Sequence, residues 1–228
     1  MEFAPTPNSA KASWEPIRQG AAEWGLPLDD LALDRFAHFA ALLEEANREF
    51  NLTRIAREDV PTLHFLDSLA PAAVLTPTPR ARLLDLGTGA GFPGIPLAIA
   101  YPELRVTLLD GTRKRLAFLD SAIAALGLTN VSTLHGRAEE LARLPAHRAA
   151  YDLITARAVA KMSVLAGWML PLLKPGGTAI AYKSRDIAQE LEESRPTLMR
   201  LDGKIERIAE VALPGTDIVR KLVFLKRP

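Results

Sequence analysis

Leu83-Leu84-Asp85-Leu86-Gly87-Thr88-Gly89-Ala90-Gly91-Phe92-Pro93-Gly94 is the stretch that decides the fold of this 228-residue chain. An apolar run meets an acidic residue and then three alternating glycines, the pattern of a strand entering a ligand-binding turn. Gly87, Gly89 and Gly91 let the backbone bend and approach a ligand where a Cβ would intrude. The apolar residues after Pro93 then start a helix whose N-terminus faces that ligand.

Two cofactor classes suit such a turn. Gly89-x-Gly91-x-x-Gly94 satisfies the dinucleotide fingerprint, in which a pyrophosphate rests on the helix N-terminus. Asp85 argues against it, because a carboxylate just before the first glycine repels a pyrophosphate and suits a cation. S-adenosylmethionine, with its ammonium and sulfonium, is therefore the expected ligand. A nicotinamide dinucleotide and a purely structural glycine turn are the alternatives.

Outward from the turn, strands are predicted over 82–86, 105–110, 130–135, 151–155 and 177–183, alternating with helices over 93–101, 113–127, 138–143, 163–173 and 186–200. That alternation predicts an α/β fold with a doubly wound parallel sheet. Segments 204–211 and 219–225, separated by Pro214-Gly215, read as a C-terminal antiparallel hairpin, as in Rossmann-like class I methyltransferases. Upstream, Trp14 to Trp24, Leu31 to Phe50 and Glu58 to Val74 read as helices, with Asp29 and Asp30 as candidate caps. Thr76-Pro77-Thr78-Pro79 reads as a linker, because two prolines remove donors. The expected division is an N-terminal helical cap over 1–78, opening with a Pro-rich tail, and a methyltransferase domain over 79–228.

An apolar content of 48% is enough for a sizeable core. No uninterrupted apolar run reaches membrane-spanning length, and Met1 to Ser13 lacks a basic-then-apolar leader pattern. A cytoplasmic monomer with no membrane partner is expected. The absence of cysteine excludes disulfides, thiolate metal sites and thiol nucleophiles, and so disfavours C5 methylation of pyrimidines. His38, His64, His135 and His147 lack metal-ligand spacing, so no metal site is expected. A net charge of +1 does not announce a nucleic-acid binder, but basic residues cluster at Arg54/Arg57, Arg113-Lys114-Arg115, Arg157/Lys161, Lys183/Arg185 and Arg220/Lys221.

In open α/β sheets ligands lie beyond the carboxyl ends of the strands. Asp110 closes the second strand about 20 residues past the glycines, where it can accept hydrogen bonds from ribose hydroxyls or cap the next helix. Ala138 and Glu139 follow the third strand, where adenine is expected. After the fourth strand stands Thr155-Ala156-Arg157-Ala158, in place of the Asn/Asp-Pro-Pro-aromatic turn common in enzymes that methylate exocyclic amines. A ring nitrogen such as guanine N7 offers an in-plane lone pair and loses no proton on attack, so no general base is needed. Arg157 is a candidate for the cofactor pocket or the guanine, against a structural ion pair with Asp152 or Asp85. Lys183 is a candidate phosphate contact, against a solvated loop lysine.

Asp85-x-Gly87-Thr88-Gly89-Ala90-Gly91-Phe92-Pro93-Gly94-Ile95-Pro96-Leu97, Asp110 with Lys114-Arg115, Gly136-Arg137-Ala138-Glu139 and Ala156-Arg157-Ala158-Val159-Ala160 together resemble the bacterial GidB/RsmG family. Asn51-Leu52-Thr53 and His64-x-x-Asp67-Ser68-Leu69 resemble it too, so the likeness covers nearly the whole chain. The resemblance implies methylation of guanine N7 at position 527, in the 530 loop of 16S rRNA, with S-adenosylmethionine as donor and 16S rRNA or the small ribosomal subunit as partner. Carried over by residue, it implies cofactor contacts at Gly87, Phe92, Ala138, Glu139 and Arg157, and no confirmed base. Gly111-Thr112 departs from the Ser-Leu of many members. Asn51, Thr53, Arg54 and His64 are expected to close over the cofactor or meet RNA, against plain core and capping roles.

Overall fold

A computed structural model describes residues 14–183 and 187–228. The Pro-rich tail and the start of the helix expected from 186 lie outside the described residues, as does Arg185. The chain begins with helix α1 (Glu15–Glu23) and helix α2 (Asp30–Phe50). Leu33, Phe36, Phe39 and Leu43 recur at helical spacing and are buried, which fixes the inward face of α2. The Asp29 carboxylate accepts a hydrogen bond from Ala32 N at 2.8 Å, capping the helix as expected and contributing about 1 kcal/mol.

The segment expected as one helix over 58–74 is helical but irregular. It runs as a 3-10 turn (Arg57–Asp59), a π turn (Val60–Leu66), an α turn (Asp67–Leu69) and a 3-10 turn (Ala70–Ala73). Pro61 and Pro71 each remove a donor, and the Ser68 hydroxyl donates back to the His64 carbonyl, so a regular ladder cannot form. The irregular ladder carries His64 and Asp67 on its buried side.

The sheet comprises β1 (Arg82–Leu86), β2 (Arg105–Asp110), β3 (Val131–His135), β4 (Tyr151–Arg157), β5 (Leu173–Lys183), β6 (Lys204–Ala212) and β7 (Val219–Lys226). Their order is β3-β2-β1-β4-β5-β7-β6. The first five pair in parallel, and β7 pairs antiparallel with both β5 and β6, which is the sheet and hairpin expected. Between strands lie α3 (Gly94–Ala100), α4 (Arg113–Ala125), α5 (Ala138–Leu141), α6 (Met162–Leu172) and α7 (Ala188–Arg200). Four strands are longer than expected, β6 and β7 by one residue each and β4 and β5 by more. β4 continues through Arg157, and β5 begins at Leu173 because Leu173 pairs with Tyr151 before a bulge restores register at Leu153 and Thr178.

Alternating side chains assign the two faces of the sheet. Leu83 and Leu108 join α1, α2, α3 and α4 in one core, while Leu84, Leu86 and Ile154 join α5, α6 and α7 on the other face. The N-terminal helices therefore share a continuous core with the sheet. Phe65 centres it, with ring centroids 4.7 Å from Trp14, 5.1 Å from Phe36 and 5.3 Å from Phe92. No described helix is long and apolar enough to cross a membrane.

Candidate active site

The glycine turn leaves β1 at its carboxyl end, held there because Gly87 N and Thr88 N both donate to Leu109 O of β2, at 2.9 and 3.0 Å. Gly89 adopts φ +60, and an ideal Cβ there would meet nothing closer than Gly87 O at 4.0 Å. Its bare face is open. Gly94 differs: a Cβ there would lie 2.2 Å from Leu108 Cδ2 and 2.8 Å from Asp85 Oδ2, so this glycine is required by packing.

Asp85 does not present its carboxylate to a ligand. It is 0% exposed, and its oxygens accept from Thr88 Oγ1 at 2.6 Å, Gly94 N at 2.9 Å and Thr155 Oγ1 at 2.9 Å. Burial raises the Asp85 carboxyl above its ordinary pKa, against the pull of those donors and of Arg157. Its action is on the turn, which it ties to the start of α3 and to β4. Asp110 is different. Its Oδ2 accepts from Gly89 N at 3.0 Å and its Oδ1 from Thr112 N at 2.8 Å, so the turn and the end of β2 meet at this carboxylate. It is not a side-chain cap for Arg113, whose helix has no such cap. Gly136 N donates to Asp110 O at 3.2 Å, which brings the β3 loop alongside. Ala138 and Glu139 open α5 there, the first buried and the second exposed.

Phe92 and Arg157 turn the other way, toward the N-terminal helices. The Phe92 ring is 4% exposed and stacks on His64 at 4.2 Å and 11°. The Arg157 guanidinium lies 5.4 Å from the Phe92 centroid and donates to Asp67 Oδ2 at 2.8 Å, Leu63 O at 3.1 Å and His64 Nδ1 at 3.1 Å. Its ion-pair partner is thus Asp67, and Asp152 instead pairs with Lys174 at 2.7 Å. A guanidinium cannot accept, so Nδ1 of His64 is unprotonated and its Nε2–H faces Thr53 Oγ1 at 2.7 Å. Burial first, and the Arg157 charge second, lower the His64 pKa to about 3.

Residues 32–217 match the GidB family, described as rRNA small subunit methyltransferase G. Relatives named Ribosomal RNA small subunit methyltransferase G include one from Thermoanaerobacter sp. (strain X514), 42% identical over 216 residues, covering 94% of this chain and 90% of the relative. Another, from Lachnoclostridium phytofermentans, is 45% identical over 210 residues, covering 92% of this chain and 87% of the relative. The chain belongs to the GidB family. Solved structures add the fold. The [4+2]-cyclase SpnF superposes with a TM-score of 0.58 at 16% identity, over 77% of this chain and 83% of its own. TrmN from Thermus thermophilus gives 0.51 at 24% identity, over 66% of this chain and 45% of its own.

In this GidB-family methyltransferase the ends of β4, β5 and β7 enclose a pocket of about 170 Å³ beside the turn, lined by Arg157, Ala158, Ala160, Leu165, Tyr182, Lys183 and Arg220. Lys183 is not a solvated loop lysine, because its ammonium donates to Glu190 Oε2 at 2.6 Å and Ala160 O at 3.0 Å at the edge of the pocket. Burial opposes ionisation of Glu190, but the Lys183 hydrogen bond and charge outweigh it and lower that carboxyl's pKa. Arg220 was legible only as part of a basic cluster, and Tyr182 and Asp67 were not singled out as site residues. Two signals marked Asp67: its place in the His64-x-x-Asp67-Ser68-Leu69 stretch that resembles the family, and a charge in the otherwise largely apolar run Phe65-Leu66-Asp67-Ser68-Leu69.

Proposed function

We propose that this protein transfers the methyl group of S-adenosylmethionine to N7 of a guanine in 16S rRNA, the guanine at position 527 in the 530 loop. The observation that carries this reading is an arginine-walled pocket without a carboxylate or histidine among its described lining residues, next to a glycine turn with an open face. The turn fits S-adenosylmethionine: Gly89 offers backbone with no Cβ, and Asp110, which accepts from Gly89 N, Thr112 N and Arg115 Nη1, keeps a lone pair on Oδ1 for a ribose hydroxyl. Ala138 and Glu139 offer backbone groups to the adenine side. Phe92, Asp85 and Gly87 support the cofactor by holding the turn's shape.

The bound cofactor supplies an electrophilic methyl on a sulfonium. Attack by the N7 lone pair moves a positive charge onto the purine and releases no proton, so the pocket needs no base. Its work is alignment and exclusion of water. A guanidinium bonded to N7 would block that lone pair, so a pocket arginine that meets the acceptor serves phosphate or guanine O6, and Arg157 also borders the cofactor side through Phe92. Equilibrium dialysis with labelled S-adenosylmethionine, followed by transfer to small-subunit rRNA, tests the reading. Binding and label in RNA are expected; binding with label only in protein or small molecules contradicts the RNA assignment.

A further inference from the structure

The bonds between the N-terminal helices and the carboxyl end of the sheet are arranged with one polarity. The acceptors come from the irregular helix: Leu63 O, His64 Nδ1, both oxygens of Asp67 and Ser68 O. The donors come from three sheet strands: Arg157 of β4, Tyr182 of β5 and Arg220 of β7. Asp67 is the centre of the arrangement. It is 2% exposed, and gives Oδ2 to Arg157 Nη1 at 2.8 Å and Oδ1 to Arg220 Nε at 2.6 Å. The two arginines stand on strands separated by β5, and their guanidinium groups meet at the Asp67 carboxylate above the sheet. Tyr182 bridges the gap, donating to Ser68 O at 2.8 Å.

Arg157 and Arg220 both line the pocket beside the glycine turn. Arg220 engages Asp67 through Nε alone, and among the described residues its Nη1 and Nη2 make no hydrogen bond. A guanidinium pinned at Nε leaves its other end in a fixed pose, which is the preorganised fork that a phosphodiester or a guanine O6 requires. Lys183 has its own carboxylate partner in Glu190 and is not part of the pair that Asp67 joins.

Resting on the rRNA-methylation reading, we propose that Asp67 is the positioning residue of the acceptor pocket: its carboxylate sets the two guanidinium groups in one relative geometry for the incoming RNA nucleotide. The helical cap thereby completes the acceptor site without touching the RNA at this point.

The test compares Asp67→Asn, Asp67→Glu and Ile17→Ala with wild type, each assayed well below its melting temperature. Ile17 is buried in α1, outside this network, and serves as a cap-destabilising control. Asp67→Asn is expected to lower kcat/KM for small-subunit RNA at least tenfold, with S-adenosylmethionine affinity within twofold of wild type. Asp67→Glu should recover part of the loss, and Ile17→Ala should lower the melting temperature with kcat/KM per folded molecule unchanged. The proposal is overturned if Asp67→Asn leaves kcat/KM intact, or if its loss only matches that of Ile17→Ala at equal loss of stability. A wild-type enzyme that labels no rRNA overturns the underlying reading instead, so the two failures are separate.

Discussion

Gly89 and Gly94 belong to one turn but answer to different constraints. At Gly89, φ +60 and open space mean that an alanine costs about 1–2 kcal/mol of backbone strain and meets no neighbour. Gly89→Ala should therefore fold cooperatively, yet lose at least tenfold in S-adenosylmethionine affinity by calorimetric titration, because its methyl occupies the cradle. Gly94→Ala forces a Cβ to 2.2 Å from Leu108 Cδ2 and should cost about 1–3 kcal/mol in urea unfolding. His64 makes a pH prediction. The unfolded chain takes up a proton there near pH 6.5 and the folded chain only near pH 3. Between those values the unfolded state binds more protons, so stability rises with pH and is lost as pH falls below about 6.5. The limiting slope is about 1.4 kcal/mol per pH unit. Urea unfolding from pH 7 to pH 5 should show a steeper loss for wild type than for His64→Gln; parallel curves would contradict a buried neutral imidazole.

Among the elements, the irregular helix joins core to site. Phe65 contacts Phe92 with one edge of the cluster and Trp14 and Phe36 with another. Phe65→Ala should cost about 3–5 kcal/mol in stability, and should also weaken cofactor binding, since Phe92 loses support below the turn. Unchanged cofactor affinity in a destabilised variant would separate the two. Much of this level was readable from sequence. β1 and β2 were bounded correctly because an apolar run ending in an acidic residue and a glycine has few other readings. The irregular ladder was not, because apolar spacing reports a helical face but is silent on which carbonyl each N–H meets. β5 was expected late because Lys174-Pro175-Gly176-Gly177 has turn composition, and pairing with Tyr151 overrides it. Arg157 was a site candidate with Asp152 or Asp85 as its alternative ion-pair partner; Asp67 was not named, because it lies 90 residues away and only the fold brings the two together.

For the whole molecule, neither net charge nor fold decides the chemistry. A chain of net charge +1 carries its cations in places where pairing sets their meaning: Lys183 is neutralised by Glu190, whereas Arg157 and Arg220 share one carboxylate. The same sheet superposes on a cyclase, so function resides in the residues after each strand. In the function proposed, those residues align an acceptor that needs no base, and N7 of guanine is the central claim. The most direct measurement incubates the protein with methyl-labelled S-adenosylmethionine and small subunits from cells lacking it. Borohydride and aniline then cleave the RNA at 7-methylguanosine. Cleavage at a single guanine in the 530 loop, coincident with the label, is the result predicted. Labelled 16S rRNA that resists cleavage would place the methyl on another atom and contradict the base-free mechanism.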